Sequence, residues 1–155
     1  MLNNSDYVAG EDTRNVKALF KLLKISNSTR NIISYHDHST SNMRGKIIDL
    51  IKDGKSVALV SDAGTPLISD PGYKLVKRAI DEGIDVASVP GPASVIAALT
   101  VSGLPTDTFS FLGFLPNTKI KKKKLLETYL DLSSCLLYTS PSPRDYAASR
   151  MPSSA

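Results

Sequence analysis

Ser56-Val57-Ala58-Leu59-Val60 is a nearly continuous apolar run, the pattern of a strand buried on both faces. It opens directly into Ser61-Asp62-Ala63-Gly64-Thr65-Pro66-Leu67-Ile68-Ser69-Asp70-Pro71-Gly72, a loop too rich in Gly, Pro and Asp to continue a strand. Downstream, residues 73–82 have helical spacing and stop at Gly83. Residues 86–89 read as a second strand. Residues 92–102 read as a small-residue helix that starts at proline, as first-turn geometry allows, and 109–112 are strand-like. Upstream, residues 43–52 place Ile47, Ile48 and Ile51 on one helical face, with Gly54 as the stop signal. Residues 31–35 form a short strand candidate. Residues 13–24 carry Val16, Leu19, Phe20 and Leu23 as a helical stripe. Before that stripe only a polar turn is read, and no strand. Strands alternating with helices predict an α/β domain with a mostly parallel sheet. Such sheets bind ligands outside the carboxyl ends of their strands, which points to the loops at 61–72 and 90–94.

A chain of 155 residues can bury one real core but not two full domains. Its apolar share of 41% is ordinary for a soluble protein, and no uncharged apolar stretch approaches a membrane span. The amino terminus lacks the basic and apolar regions of a signal peptide. Cys135 is the single cysteine, which excludes an internal disulfide framework and fits a reducing compartment; the expected location is cytoplasmic. The net charge of +4 is a mild bias toward polyanions. Residues 135–155 show no helical or strand periodicity and are rich in Ser, Pro and Arg. The string Leu136-Leu137-Tyr138-Thr139-Ser140-Pro141-Ser142-Pro143-Arg144-Asp145 resembles translated sequencing-adapter DNA. This tail is therefore expected to be non-native or disordered.

The chemistry-bearing residues sit in the loops. Gly64 and Gly72 let the backbone turn and approach a ligand closely, while Pro66 and Pro71 stiffen it. Asp62 can accept hydrogen bonds from ligand hydroxyl or ammonium groups. A rigid turn without a ligand remains the alternative. Asp12, His36 and His38 are candidates for proton transfer. Asp12 with Thr13 can equally cap the helix that follows. His36 and His38 lie two apart, as a metal pair can, but no third ligand follows at a suitable spacing, so no metal is expected. Arg14 and Arg44 can clamp phosphates. Lys119, Lys121, Lys122, Lys123 and Lys124 form a basic run that is either a solvated helix face or a collector of backbone phosphates.

Six motifs in order resemble one family over roughly 110 residues, a far more specific signal than a lone glycine pattern. They are Gly10-Glu11-Asp12-Thr13-Arg14-Asn15, Ser34-Tyr35-His36-Asp37-His38, the 61–72 loop, Val89-Pro90-Gly91-Pro92, Ser102-Gly103-Leu104-Pro105-Thr106-Asp107, and Phe111-Leu112-Gly113-Phe114-Leu115-Pro116. Together they resemble the tetrapyrrole-methylase superfamily, most of all its ribosomal-RNA 2′-O-methyltransferases. The resemblance implies a class III methyltransferase N-terminal α/β domain with S-adenosyl-L-methionine as cofactor. It implies donor-binding residues at Asp62, Ala63, Gly64, Thr65, Gly91, Ala93, Ser94 and Val95. It also implies a cytidine ribose 2′-hydroxyl of 16S ribosomal RNA as acceptor, a homodimer at full length and no membrane partner. Arg14, Arg44, Lys121, Lys122, Lys123 and Lys124 are then the expected RNA contacts.

The family's first strand, with its Gly-Asn-Leu-Gly-Asp type loop, has no counterpart here. Neither has its Tyr-Glu-Ser-Pro-His-Arg type segment, nor the second α/β domain that follows. Residues 1–116 thus read as a partial N-terminal domain, 117–134 as a linker into a second domain, and 135–155 as the tail. On that reading the chain by itself is expected to be inactive. At Ala93-Ser94 the family often has Cys or Ser followed by Ala, which leaves open which atom meets the donor. The alternatives are a methylase of a tetrapyrrole or corrinoid precursor and a non-enzymatic RNA-binding module. The Asp12-Thr13-Arg14 start and the Asp62-Ala63-Gly64-Thr65 loop weigh against the first, and the 6% aromatic content against the second.

Overall fold

The computed structural model describes residues 2–25, 31–36, 38–129 and 134–139. The chain forms two compact units, Met1–Pro92 and Ala93–Ala155. Among the described residues, no helix is long and apolar enough to cross a membrane.

The first unit is a βα alternation. A short 3-10 turn at Leu2–Asn4 leads into β1 (Tyr7–Gly10), α1 (Thr13–Leu22), β2 (Ile32–Ser34), α2 (Ser41–Lys52), β3 (Val57–Val60) and α3 (Tyr73–Asp81). The strands lie in the order β2-β1-β3 and both pairings are parallel. Val8 and Ala9 face Ile32 and Ile33 on one side, and Ala58 and Leu59 on the other. Successive side chains of a strand point to opposite faces, and the core divides accordingly. Val8 packs with Val16 and Phe20 of α1, joined by Ile32, Ala58 and Val60. Ala9 packs with Tyr35, Ile47 and Ile48 of α2, and Leu75 and Ala79 of α3, joined by Ile33, Val57 and Leu59. Helices thus cover both faces of a small parallel sheet, the expected α/β arrangement.

Local chemistry sets the ends of these elements. Asp12 and Thr40 accept hydrogen bonds from the Arg14 and Met43 amides and so cap α1 and α2. Gly54 and Gly83 follow α2 and α3 with φ of 79° and 72°, the left-handed backbone that ends a helix. At the amino edge of the sheet, Ser56 donates from both its amide and its hydroxyl to Asp6, at 2.8 Å each. Those bonds, the amide first, hold the Asp6 carboxyl below its usual range. The Asp6 amide donates back to the Ser56 hydroxyl, and the Tyr7 amide to the Ser56 carbonyl, which pins the register of β1 on β3.

The second unit holds α4 (Ser94–Val101), β4 (Phe109–Phe114), α5 (Lys119–Tyr129) and β5 (Cys135–Thr139). β4 and β5 pair in parallel, with α5 as the crossover that parallel pairing requires. The register shifts between Phe111 and Phe114, where Gly113 has a φ of 66°.

Three readings of the sequence are corrected. A strand, β1, precedes the first helix and is the central strand of its sheet. Its Tyr-Val-Ala-Gly sequence is too short and too plain to announce itself. Residues 86–89 form no strand, because no described strand lies alongside to supply a ladder; Val86 and Val89 are 50% and 61% exposed. Cys135–Thr139 does form a strand, since its backbone finds β4. The rest of the tail, 140–155, lies outside the described residues.

A β-carbon on Gly10 would collide with the Val16 side chain and sit 3.2 Å from Val60 Cγ2. Gly10→Ala is therefore expected to destabilise the fold by about 1–3 kcal/mol through overpacking, read as a lower denaturant midpoint. Ile48→Ala, at a fully buried position, should cost about 2–5 kcal/mol. Unchanged midpoints would mean that α1 and α2 are not seated on the sheet as described.

Candidate functional site

Parallel pairing in β2-β1-β3 brings three carboxyl ends to one edge of the sheet, and each runs into a chemistry-bearing segment. β1 leads to Glu11-Asp12-Thr13-Arg14-Asn15, β2 to Tyr35-His36, and β3 to the 61–72 loop.

The Asp12 carboxylate is fully engaged. It accepts from the Arg14 amide at 2.8 Å, and from Arg14 Nε and Nη2 at 3.1 Å and 2.7 Å. These bonds, the guanidinium's first, pull its pKa from 3.8 to about 2 and push that of Arg14 up. Asp12 is thus a helix cap and the counter-ion of Arg14, which is otherwise exposed.

Asn15 stands one residue further on. Its side-chain amide donates to Asp62 Oδ2 at 2.8 Å. That bond ties the start of α1 to the loop after β3 across 47 residues of sequence. Nothing in the sequence pattern marks Asn15 for this role. No spacing rule could have found it, because only the β1–β3 pairing brings it to Asp62.

The 61–72 loop is exposed at Asp62, Ala63 and Gly64 and half-buried at Thr65. The Ser61 hydroxyl donates to the Ala63 and Gly64 carbonyls at 3.2 Å and 3.3 Å, which folds the loop back on itself. Gly64 has a φ of 72°, and Leu67 and Ser69 are also left-handed, at 74° and 62°. For L residues that backbone costs about 1–2 kcal/mol each, so the surrounding loop must enforce it. Gly72 ends the loop with a φ of 134°; a β-carbon there would lie 2.7 Å from Leu59 Cδ2. The Thr65 hydroxyl donates to the Pro92 carbonyl at 3.4 Å, joining this loop to the Val89-Pro90-Gly91-Pro92 segment. Around Gly64 and Gly91 a β-carbon would meet nothing within 4 Å, so both present open backbone. Ala93, Ser94 and Val95 begin α4 in the second unit; Ala93 is its N-cap and makes no side-chain capping bond.

His36 and His38 are exposed, with ring centroids 6.3 Å apart. Among the described residues, no three His, Cys, Asp or Glu side chains gather as metal ligands do. The turn after β2 is held by reciprocal bonds: the His36 amide to the Ser39 hydroxyl, and the Ser39 amide to the His36 carbonyl. Arg44 Nη1 donates to the Ser39 carbonyl at 2.6 Å, so this half-buried arginine braces the histidine turn. Lys121, Lys122, Lys123 and Lys124 lie on α5 in the second unit, where Lys123 is 3.7 Å from Glu127.

The Asp12 carboxyl signal should titrate with a midpoint near 2 in an NMR pH series. Because its folded pKa is depressed, the pairing contributes stability above about pH 4 that is lost as the pH falls toward 2. In Arg14→Gln the midpoint should return toward 3.8. A midpoint unmoved by that change would show that Arg14 is not its partner.

Residues 1–151 match the family described as Tetrapyrrole (Corrin/Porphyrin) Methylases. The chain is 45% identical over 141 residues to the ribosomal RNA small subunit methyltransferase I of Halalkalibacterium halodurans, which covers 90% of the chain and 48% of that protein. It is 46% identical over 142 residues to the protein of the same name from Vibrio cholerae, with 91% and 48% covered. To that from Mesorhizobium japonicum it is 46% identical over 145 residues, with 94% and 48% covered. The chain spans about half the length of these relatives. With a parallel sheet covered on both faces and motif loops on its carboxyl edge, the chain belongs to the tetrapyrrole (corrin/porphyrin) methylase family.

Proposed function

We propose that this chain is the methyl-donor half of an S-adenosylmethionine-dependent methyltransferase that modifies a cytidine ribose 2′-hydroxyl in the 16S RNA of the small ribosomal subunit. The full-length protein acts as a homodimer in the cytoplasm, where its substrate is. Residues 1–116 supply the partial donor domain and 117–134 lead toward a second domain. One observation carries the reading. The Asp62–Thr65 loop, in a family of methylases and in a chain about 45% identical to rRNA methyltransferases, is fastened by Asn15 and Pro92 at the carboxyl edge of the sheet.

The residues present fit the donor. Open backbone at Gly64 and Gly91 leaves room for close approach, and Asp62 offers acceptor oxygens to hydroxyl or ammonium groups. When bound, S-adenosylmethionine supplies a methyl group already activated on its sulfonium sulfur. The protein has only to hold the donor, set the ribose oxygen in line with it and take up the hydroxyl proton. Asp12 is unsuited to that last task, since its carboxylate is committed to Arg14 and the α1 amides and is held at low pKa. His36 or His38, on the exposed turn after β2, takes the proton on an imidazole nitrogen. Arg44 and Lys121–Lys124 supply positive charge to the RNA backbone, and Arg14, paired with Asp12, adds hydrogen-bond donors more than net charge. Of these, Arg44 does so only to the extent that the Ser39 carbonyl leaves it free.

The test is methyl transfer from labelled donor, by a full-length version of the protein, to small subunits that lack the modification, with a uroporphyrinogen-type substrate as the second arm. Label in RNA, recovered as a 2′-O-methylated cytidine, is the expected result. Label in the tetrapyrrole alone would overturn the RNA reading. Asp62→Ala should weaken donor binding by about 1–3 kcal/mol in calorimetry, and unchanged affinity would remove Asp62 from the donor site.

A further inference from the structure

Residues 13–36 contain Arg14, Lys17, Lys21, Lys24 and Arg30 and no Asp or Glu, so this stretch alone carries more positive charge than the chain's net +4. Most of it falls on α1 and the turn that follows. Arg14, Lys17 and Lys21 are spaced three and four residues apart, the spacing that sets side chains along one side of a helix, and Lys24 follows in the turn just past its end, with a φ of 53°. The neighbouring side of the helix is fixed on the sheet by Val16 and Phe20, each 2% exposed. The basic residues flank that buried side, and Arg14, Lys17, Lys21 and Lys24 are all exposed. Arg14 is neutralised by Asp12. The ion pairs of the described residues include none of Lys17, Lys21 and Lys24. By contrast, α3 pairs its own Lys77 and Arg78 with Asp81 and Glu82. The stripe also has a direction. It starts at the cap of α1, beside the Asn15–Asp62 bond at the carboxyl edge of the sheet, and runs away from that edge.

We propose that Lys17, Lys21 and Lys24 form a track for the phosphate backbone of the RNA substrate, leading the strand to the loops at the carboxyl edge. This rests on the rRNA reading above. With a rise of 1.5 Å per residue, Lys17 and Lys21 are about 6 Å apart along the axis of α1, so their side chains reach neighbouring phosphates of one strand, and Lys24 extends the charge into the turn beyond the helix. Lysine serves here as a flexible point charge and confers no base preference. The track adds affinity and orientation, and the nucleotide is chosen elsewhere.

The experiment measures binding of the purified full chain to a labelled single-stranded segment of small-subunit rRNA, and to intact small subunits, across about 50 to 300 mM monovalent salt. The triple variant Lys17→Gln, Lys21→Gln, Lys24→Gln should lower the slope of log affinity against log salt by about two units, at roughly 0.7 per phosphate contact. It should weaken binding roughly ten-fold or more near 0.1 M salt, while calorimetry finds unchanged affinity for S-adenosylmethionine. The triple Lys→Arg variant should keep the wild-type slope. A Gln variant that binds both partners like wild type overturns the track and makes the stripe a solvated face. Loss of binding to subunits with naked RNA unaffected also overturns it, and assigns the surface to a ribosomal protein. A wild-type chain that binds neither partner overturns the track and the rRNA reading together, whereas wild-type binding with an unaltered Gln variant overturns the track alone.

Discussion

The four-residue strand Tyr7–Gly10 is the constraint on which the first unit depends. It is paired in parallel on both sides, so its backbone groups are committed to two neighbours at once. It is also covered on both faces, which limits what its side chains can be. Val8 fits under α1 and Ala9 under α2 and α3, and Gly10 leaves space that Val16 and Val60 occupy. Larger residues would push a helix off the sheet, which is how a packed interior responds to added volume. The same pairing fixes direction. Because all three strands run the same way, their carboxyl ends meet at one edge, and segments far apart in sequence become neighbours there.

Hydrogen bonding then decides which polar groups at that edge are available to a ligand. Asp12 is spent on Arg14 and the α1 amides, and Arg44 on the carbonyl of Ser39. Asp62 is oriented by Asn15 yet remains exposed. The left-handed backbone at Leu67 and Ser69 lies in the same loop as Asp62, so a segment under strain adjoins the group most open to a ligand. The acceptor is a matter of the surrounding surface, since one fold hosts several chemistries.

The helices of the first unit are legible from sequence to within about two residues, whereas α5 falls in the stretch read as a linker. Val16 with Phe20, and Ile47 with Ile48 and Ile51, announce α1 and α2, and Gly54 and Gly83 announce the ends of α2 and α3. The loop after β3 is legible too, because the order of its Gly, Pro and Asp residues is distinctive. Strands were less so. Tyr-Val-Ala-Gly passed unnoticed, Val86 to Val89 were read as a strand that does not form, and Cys135–Thr139 were read as unpatterned. In the site, Asp62 and the histidine turn stood out by residue type, whereas the Asn15–Asp62 and Arg44–Ser39 bonds did not.

The division follows from where the hydrogen bonds go. A helix closes its bonds four residues back, and a loop motif acts through its own glycines and prolines, so sequence by itself determined the helices of the first unit, their stops and the family-specific loop. A strand exists only where a distant segment supplies the other half of the ladder. A polar side chain is available for chemistry only if no distant neighbour has claimed it. Tertiary structure alone therefore decided that 7–10 is the central strand and 86–89 is none. It decided, too, that Asp12 is a cap committed to Arg14 while Asp62, held by Asn15, stays exposed at the edge of the sheet.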